Sequence, residues 1–475
     1  MAHFNRDVEG FTASRVVKTI GSENVDNYTV YILEVYCGSY SWTVRHRYSE
    51  FHELHERLVT KYKIDKTLLP PKKVFGNQNE EFIKKRQADL ELYLQVLMHY
   101  LPKLPPELAF FLDFDKYEIH GITQLLAEHL FEKGEKILQS QQTFVVSPLH
   151  LNAVTQRLKL PEPTCDHILI YTGDMRKDLG HILDFFTRLK YLKILGTKEP
   201  LGTSNIEVNQ LSFEMNCFKS LTVLELDQCN IGTISVVDTV KKTLKHLIVH
   251  GSLQALKDML LRDIVYWQTE DTEETAVLPV WESLQAADFS HNEIKEIDES
   301  VRLMPRLEYL DLSRNQLSDV QHLHYLPALS QVNLAHNRLR TLESLHVRLG
   351  NVKILNLSGN QLDTLEGLSK LYSLETLNVS KNKLAEVENV QCIGKLPCLE
   401  NLILRDNPIR TVVDYRVAVL ELFGDRAKEV LLDKEATTQQ ELDKIAVRLA
   451  LQKAKDDRAK RQSTSSTADT SSIPN

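Results

Sequence analysis

Four side chains in the first hundred residues have the chemistry to hold a phosphorylated polyol: Arg47, Tyr48, Lys72 and Arg86. A guanidinium offers a planar fork of donors that matches phosphate oxygens, and an ammonium adds a compact positive charge. A flat phenol ring supports the face of a sugar-like ring. The same residues also fit a plainer reading, in which Arg47 and Tyr48 finish a strand and Lys84-Lys85-Arg86 is a solvated helix face. What separates the readings is whether the chain brings all four together.

The elements that would position them are legible from periodicity. Ser14–Ile20, Tyr28–Cys37 and Trp42–Arg47 read as strands, the last two joined as a hairpin through Gly38 and Ser39. From Ser49 to Tyr62 the period becomes helical, with Phe51, Leu54, Leu58 and Tyr62 on one side. A proline elbow, Leu69-Pro70-Pro71-Lys72-Lys73, precedes a second amphipathic helix over Glu80–Tyr100.

This order, with Arg47-Tyr48-Ser49-Glu50-Phe51, resembles the PX (phox homology) domain over about 100 residues. The resemblance implies that Arg47 pairs with the 3-phosphate of a phosphoinositide and that Tyr48 stacks beneath the inositol ring. It likewise implies that Lys72 contacts the 1-phosphate and that Arg86 bonds the ring hydroxyls. Val74 and Phe75 resemble the apolar tip that such domains press into the bilayer interface. Lys73, Lys84 and Lys85 would add attraction to anionic lipid, about 1 kcal/mol each near the surface. One headgroup and one shallow aromatic make such binding reversible. Four positions filled at once with the types of one module favour binding over the plainer reading.

Downstream, amphipathic stretches at Ile122–Leu138, Pro148–Leu158 and Lys177–Leu189 predict a helical connector, in which His129 reads as a packed or surface residue. From Leu284 to Ile409 the pattern L-x-x-L-x-L-x-x-N-x-L recurs at intervals of 22 to 25 residues, with Asn292, Asn315, Asn337, Asn360, Asn382 and Asn407 at one offset. That is a leucine-rich repeat: its apolar positions enter a shared core, and stacked copies form a solenoid lined on one side by short strands. Looser copies at Leu189, Leu221 and Leu244 precede it. The run Glu270-Asp271-Thr272-Glu273-Glu274 reads as an exposed acidic loop, a solvated segment or a docking handle.

The register places Asp288, Asp311, Asn333, Asn356, Asn378 and Ile403 in a central column on the concave side, with His291, Arg314, His336 and Lys381 just past the strand ends. Such polar positions serve solubility or form a groove for a segment of a partner protein. The short repeats resemble the phosphatase-regulator subclass of leucine-rich repeats. Asn407 to Asp433, with Tyr415 and Arg416, resembles its C-terminal cap. That likeness implies an alternative function, a regulatory subunit of a protein phosphatase addressed to membranes.

The predicted fold is thus a multidomain α+β chain of 475 residues. It comprises a PX domain (11–117: three-stranded sheet plus helices), a helical connector (118–185), a leucine-rich repeat solenoid with cap (186–445), and a charged helix with a disordered tail (446–475). A net charge of -8 argues against general nucleic-acid binding. The six cysteines are scattered without metal-ligand spacing, which fits a reducing cytosol and predicts no metal; the pair Cys392 and Cys398 reads as ordinary packing. No signal peptide, acylation motif or run of about 18 apolar residues occurs, so membrane contact is expected to be peripheral. No phosphate loop or nucleophile, base and oxyanion set is legible, so neither a cofactor nor enzymatic activity is expected.

Four further strings sharpen the resemblance: Asp65 to Lys73, Asp178 to Phe185, Tyr191-Leu192-Lys193 and Gly202 to Ile206. With the two modules they make the chain similar to the nischarin (imidazoline receptor antisera-selected) family to about residue 450, without the long C-terminal region of vertebrate members. The resemblance implies a cytoplasmic scaffold on early or recycling endosomes, recruited by phosphatidylinositol 3-phosphate. Its implied protein partners are integrin cytoplasmic tails, Rac or Rab GTPases and their kinases, with restraint of cell migration as the outcome.

Overall fold

The computed structural model describes residues 15–26, 28–72, 79–100, 104–160, 175–262 and 280–465. Lys73, Val74, Phe75, Cys165, the acidic run Glu270 to Glu274 and the tail beyond 465 lie outside the described residues. Two compact units are formed, one from residues 1–221 with 226–237 and the other from 222–225 with 238–475.

The first unit opens with an antiparallel sheet of β1 (Arg15–Val25), β2 (Tyr28–Cys37) and β3 (Tyr40–Arg47) in that order. Alternation decides the faces: Tyr31, Leu33, Val35 and Cys37 of β2 are buried, as are Val17 of β1 and Trp42 and Val44 of β3. β1 outruns its expected end at Ile20 because the register shifts between Thr19 and Gly21 and pairing then resumes to Val25. Two helices cover the sheet, α1 (Tyr48–Tyr62) and α2 (Glu80–Tyr100). They present Phe51, Leu54 and Leu58, and Leu90, Tyr93, Leu94 and Leu97, to one core. Lys63 closes α1 in the left-handed conformation, φ 55°.

The short helices α3 (Pro106–Phe111) and α4 (Phe114–Tyr117) finish this core around Trp42. The Trp42 ring is fully buried, meets Phe114 edge-on at 5.1 Å and donates its indole N–H to the Leu112 carbonyl at 2.7 Å. Truncating so buried a ring costs about 3–5 kcal/mol.

The outer edge of β3 is closed by a strap, residues 201–206. Asn205 N–H donates to Ser41 O (2.9 Å) and Thr43 N–H to Thr203 O (3.3 Å). The Asn205 side chain accepts from Ser41 N–H (2.8 Å) and donates to Ser39 O (3.2 Å), while the Thr203 hydroxyl donates to Thr43 O (2.7 Å). An edge strand that would otherwise expose unpaired donors is thereby covered. Gly202 is needed in the strap: its φ is +54°, and an added Cβ would lie 2.7 Å from the Tyr117 hydroxyl oxygen.

Helices α5 (Ile119–Ser140), α6 (Pro148–Lys159) and α7 (Leu179–Arg188) follow as the sequence predicts. Between α5 and α6 lies a strand that helical periodicity did not indicate: β4 (Phe144–Val146) pairs in parallel with β5 (Tyr191–Leu195). Glu118 caps α5, accepting from His120 and Gly121 N–H groups. A second small pair, β6 (Phe213–Glu214) with β8 (Ile234–Ser235), flanks β7 (Val223–Asp227) in sequence.

After α8 (Asp238–Thr243), the second unit is a row of parallel strands: β9 (His246–His250), β10 (Ala286–Asp288), β11 (Tyr309–Asp311), β12 (Gln331–Asn333), β13 (Ile354–Asn356), β14 (Thr376–Asn378), β15 (Asn401–Ile403) and β16 (Leu431–Leu432). Small helices α9 (Lys257–Leu260) and α10 (Leu345–Leu349) sit in the connections. The Asn at each repeat offset is buried and joins consecutive rungs. Asn337 donates its amide to Leu312 O (2.9 Å) in the preceding repeat and Leu334 O (3.1 Å) in its own, and accepts from Leu317 N–H (3.0 Å). Asn315, Asn360, Asn382 and Asn407 repeat this arrangement of donated bonds.

The array ends in a cap made by α11 (Tyr415–Glu421), β16 and α12 (Gln439–Ser465). Tyr415 donates its hydroxyl to Asp433, and Asp433 Oδ1 takes the Leu404 N–H at 2.8 Å. Arg416 ties β16 to α12 by donating to Leu432 O (2.9 Å) and Glu441 (2.7 Å). A terminal repeat has to cover its apolar edge, and these bonds hold the cover in place.

Candidate functional site

Arg47 sits at the junction of β3 and α1, with its backbone extended (φ −87°, ψ 158°) as the helix N-cap. Its N–H donates to Glu50 Oε2 at 3.3 Å, and its half-exposed guanidinium lies 3.4 Å from Glu50 Oε1 and 5.8 Å from the centre of the Tyr28 ring. Glu50 also faces Nδ1 of His46 at 2.8 Å. The His46 ring is itself fixed by stacking on Phe111 (centroids 3.7 Å apart) and by the Phe111 carbonyl 2.6 Å from Nε2. Arg47 is therefore aimed by a carboxylate one helical turn on, yet keeps an open face.

The next residue, Tyr48, turns into the partly buried layer between α1 and the elbow, where its hydroxyl donates to Pro70 O at 2.5 Å. Arg86, on the first turns of α2, is only 6 % exposed. Its guanidinium lies 4.3 Å from the Tyr48 and Phe82 ring centres and donates to Pro71 O at 3.1 Å. Burial pushes the Tyr48 phenol up, and the charge of Arg86 opposes the rise; Tyr31 is shifted up in the same way and for the same reasons.

The two proline carbonyls are thus the mortar that brings the elbow to Tyr48 and Arg86, and Lys72 follows directly, exposed. Of the four sequence-predicted residues, Tyr48 and Arg86 are in contact, Arg47 precedes Tyr48 in the chain with its guanidinium over the Tyr28 ring, and Lys72 follows the elbow to which Tyr48 and Arg86 are bonded. Val74 and Phe75 are outside the described residues. Glu50, Phe82 and the Pro70 and Pro71 carbonyls were not singled out by residue type. Glu50 was detectable as the acidic residue three positions after a helix N-cap.

On the second unit, the predicted column does line up. Asp288, Asp311, Asn333, Asn356, Asn378 and Ile403 are successive register partners across β10 to β15. Its two acidic members are engaged. Asp311 accepts from Tyr309 (3.0 Å), Asn333 (2.7 Å) and Ser313 N–H (2.8 Å). Burial would raise the Asp288 carboxyl, but hydrogen bonds from His250 and from the Ser290 hydroxyl and amide bring it below the ordinary value. His250 Nε2 faces both Asp288 Oδ1 (3.3 Å) and Ser290 Oγ (3.2 Å). A hydrolytic relay needs the two ring nitrogens to serve different partners, so this trio has the residue types of one without its geometry. Arg314 stands exposed past the end of β11.

Comparison with known proteins defines the class. Residues 35–115 match the PX domain family and residues 282–339 match the leucine-rich repeat family. The chain therefore carries an N-terminal PX domain, with its three-stranded antiparallel sheet and helices, followed by a leucine-rich parallel-strand solenoid. Among particular proteins, human sorting nexin-13 is 31% identical over 111 residues, 23% of this chain and 10% of that protein. Human serine/threonine-protein kinase 11-interacting protein is 29% identical over 211 residues, 41% of this chain and 18% of that one. The PX domain-containing protein kinase-like protein of Rattus norvegicus is 40% identical over 81 residues, 16% of this chain and 13% of that protein. The chain thus spans between a tenth and a fifth of the length of these relatives.

Proposed function

We propose that the chain is a non-enzymatic peripheral-membrane scaffold that binds phosphatidylinositol 3-phosphate through the PX domain and displays its repeats to signalling proteins. The observation that carries this reading is the Tyr48 ring covered by the Arg86 guanidinium at 4.3 Å, with the half-exposed Arg47 preceding it in the chain and the Pro70-Pro71 elbow that leads to Lys72 bonded to both Tyr48 and Arg86. An exposed guanidinium beside a ring platform suits a phosphomonoester on a cyclitol. None of the described helices is long and apolar enough to cross a membrane, in keeping with attachment through a headgroup.

The two modules and the local strings described above support the likeness to the nischarin family. On that likeness the membranes are those of early or recycling endosomes, and the partners are integrin tails and the Rac or Rab GTPase pathways. The name of one relative, a kinase 11-interacting protein, adds a kinase to the partner classes that fit a repeat array.

The test is vesicle binding. The chain should bind vesicles carrying phosphatidylinositol 3-phosphate, and Arg47→Gln should abolish that binding while leaving thermal unfolding unchanged. Equal binding by the variant would overturn the assignment of Arg47.

A further inference from the structure

At the C-terminal ends of the strands in the second unit, each repeat turns through a residue in the left-handed conformation: His291, Arg314, His336, Gly359, Lys381 and Asp406, with φ from 54° to 69°. Their amides tie one repeat to the next, as from Arg314 N to Ala335 O (2.8 Å), His336 N to Ser358 O (2.7 Å), Gly359 N to Ser380 O (2.9 Å) and Lys381 N to Arg405 O (2.9 Å). The side chains therefore form a row with one member per rung, rungs being about 4.8 Å apart.

Two positions on, a second ladder is tied in the same way, with Arg338 N bonded to Leu317 O and Lys383 N to Leu362 O, both at 2.8 Å. Across β11 to β14 the first row reads Arg314, His336, Gly359, Lys381 and the second reads Gln316, Arg338, Gln361, Lys383. Neither contains a carboxylate until Asp406 ends the first. This is a cationic edge on a chain of net charge -8.

Elsewhere on the array some cations are paired, as Lys353 with Glu375 (2.9 Å) and Arg348 with Asp319. Arg314, Arg338, Lys381 and Lys383 are exposed and form no ion pair among the described residues. Gly359 sharpens the row. A Cβ there would lie 2.4 Å from His336 Nδ1, so the imidazole of His336 leans over the glycine. Inside the row, the neutral groups Asn356, Ser358, Asn378 and Ser380 are half-buried or buried and offer hydrogen bonds without charge.

We infer that this edge receives an extended acidic segment of a partner protein, with carboxylates on Arg314, Arg338, Lys381 and Lys383 and backbone over the Asn356–Asn378 floor. The inference rests on the reading of the concave side as a recognition surface and names the partner chemistry. Charge complementarity selects the occupant: four unpaired cations span about 14 Å across four rungs, the reach of four to five extended residues. Such rim charges act chiefly on association rate and specificity, and they weaken with salt.

The experiment uses the full chain and two fluorescein-labelled peptides, one rich in alternating Glu and its Gln counterpart, read by anisotropy at low and high salt. Three variants accompany it. The edge variant carries Arg314→Gln, Arg338→Gln, Lys381→Gln and Lys383→Gln. A charge-matched control carries Arg306→Gln, Lys370→Gln, Lys395→Gln and Lys428→Gln, all exposed. The floor variant is Asn356→Trp. The expected result is binding of the Glu peptide only, weakened about tenfold or more in the edge variant and by less than about twofold in the control.

Equal loss in both quadruple variants, or no binding by the intact chain, overturns the inference. If Asn356→Trp abolishes binding while the edge variant does not, the recognition surface stands and the cationic edge falls. If the edge variant instead loses binding to phosphatidylserine vesicles and keeps the peptide, the edge is a membrane contact and the inference is likewise overturned.

Discussion

Arg47 and Arg86, both assigned to the proposed headgroup site, carry the same charge and differ in what else they do. Arg86 is 6 % exposed, lies on two aromatic rings and bonds a proline carbonyl, so it is part of the core as well as of the site. Arg47 is half exposed and touches one carboxylate. Arg86→Gln is therefore expected to cost about 1–3 kcal/mol of stability as well as lipid affinity, because the Pro71 carbonyl loses its donor and the rings lose their cover. Urea unfolding monitored alongside vesicle binding would separate that double loss from the single loss at Arg47. Tyr48→Phe keeps the ring platform and removes only the bond to Pro70 O, so a loss of roughly 1 kcal/mol with headgroup binding largely retained is the expected outcome. A Tyr48→Phe variant that failed to bind lipid yet unfolded normally would show that the hydroxyl, and not the ring, meets the ligand.

At the scale of elements, the Asn ladder is the part of the array least tolerant of change. Asn337→Ala leaves the buried Leu317 amide without its acceptor and takes one of two amide donors from each of the Leu312 and Leu334 carbonyls, which is expected to cost about 1–3 kcal/mol and to be visible as early unfolding of the repeats. The strap over β3 makes a different prediction. In the double variant Asn205→Ala with Thr203→Val, the Ser41 amide loses the side-chain acceptor of Asn205 and the strap loses the Thr203 bond to Thr43 O. Hydrogen exchange at Ser41 and Thr43 should then speed up several-fold while Leu33 and Val35, in the middle strand, stay protected.

These two devices also mark the boundary of what the residue pattern disclosed. The Asn offset recurs six times, so the ladder was legible before any coordinates, as were β2 and the bounds of α2. The strap was not, because its partner lies some 160 residues away and three paired residues have no periodicity to detect. β4 escaped for the same reason, being three residues long between two helices. In the candidate lipid site the cations and the ring were legible by type. The part played by Glu50 in aiming Arg47 needed the geometry of the helix N-terminus.

For the whole molecule, the proposed headgroup site on one unit would address the proposed recognition surface on the other to membranes. Co-sedimentation of the full chain with vesicles, with and without phosphatidylinositol 3-phosphate, tests this addressing most directly. Arg45→Gln is the fitting control, since Arg45 lies on the same strand, is exposed and, among the described residues, forms an ion pair with Glu23 alone, at 3.2 Å. The intact chain and Arg45→Gln are expected to sediment with the phosphoinositide vesicles, and Arg47→Gln to bind at least about tenfold more weakly. Binding of Arg47→Gln equal to that of the intact chain, or binding by all three that ignores the 3-phosphate, would contradict the account.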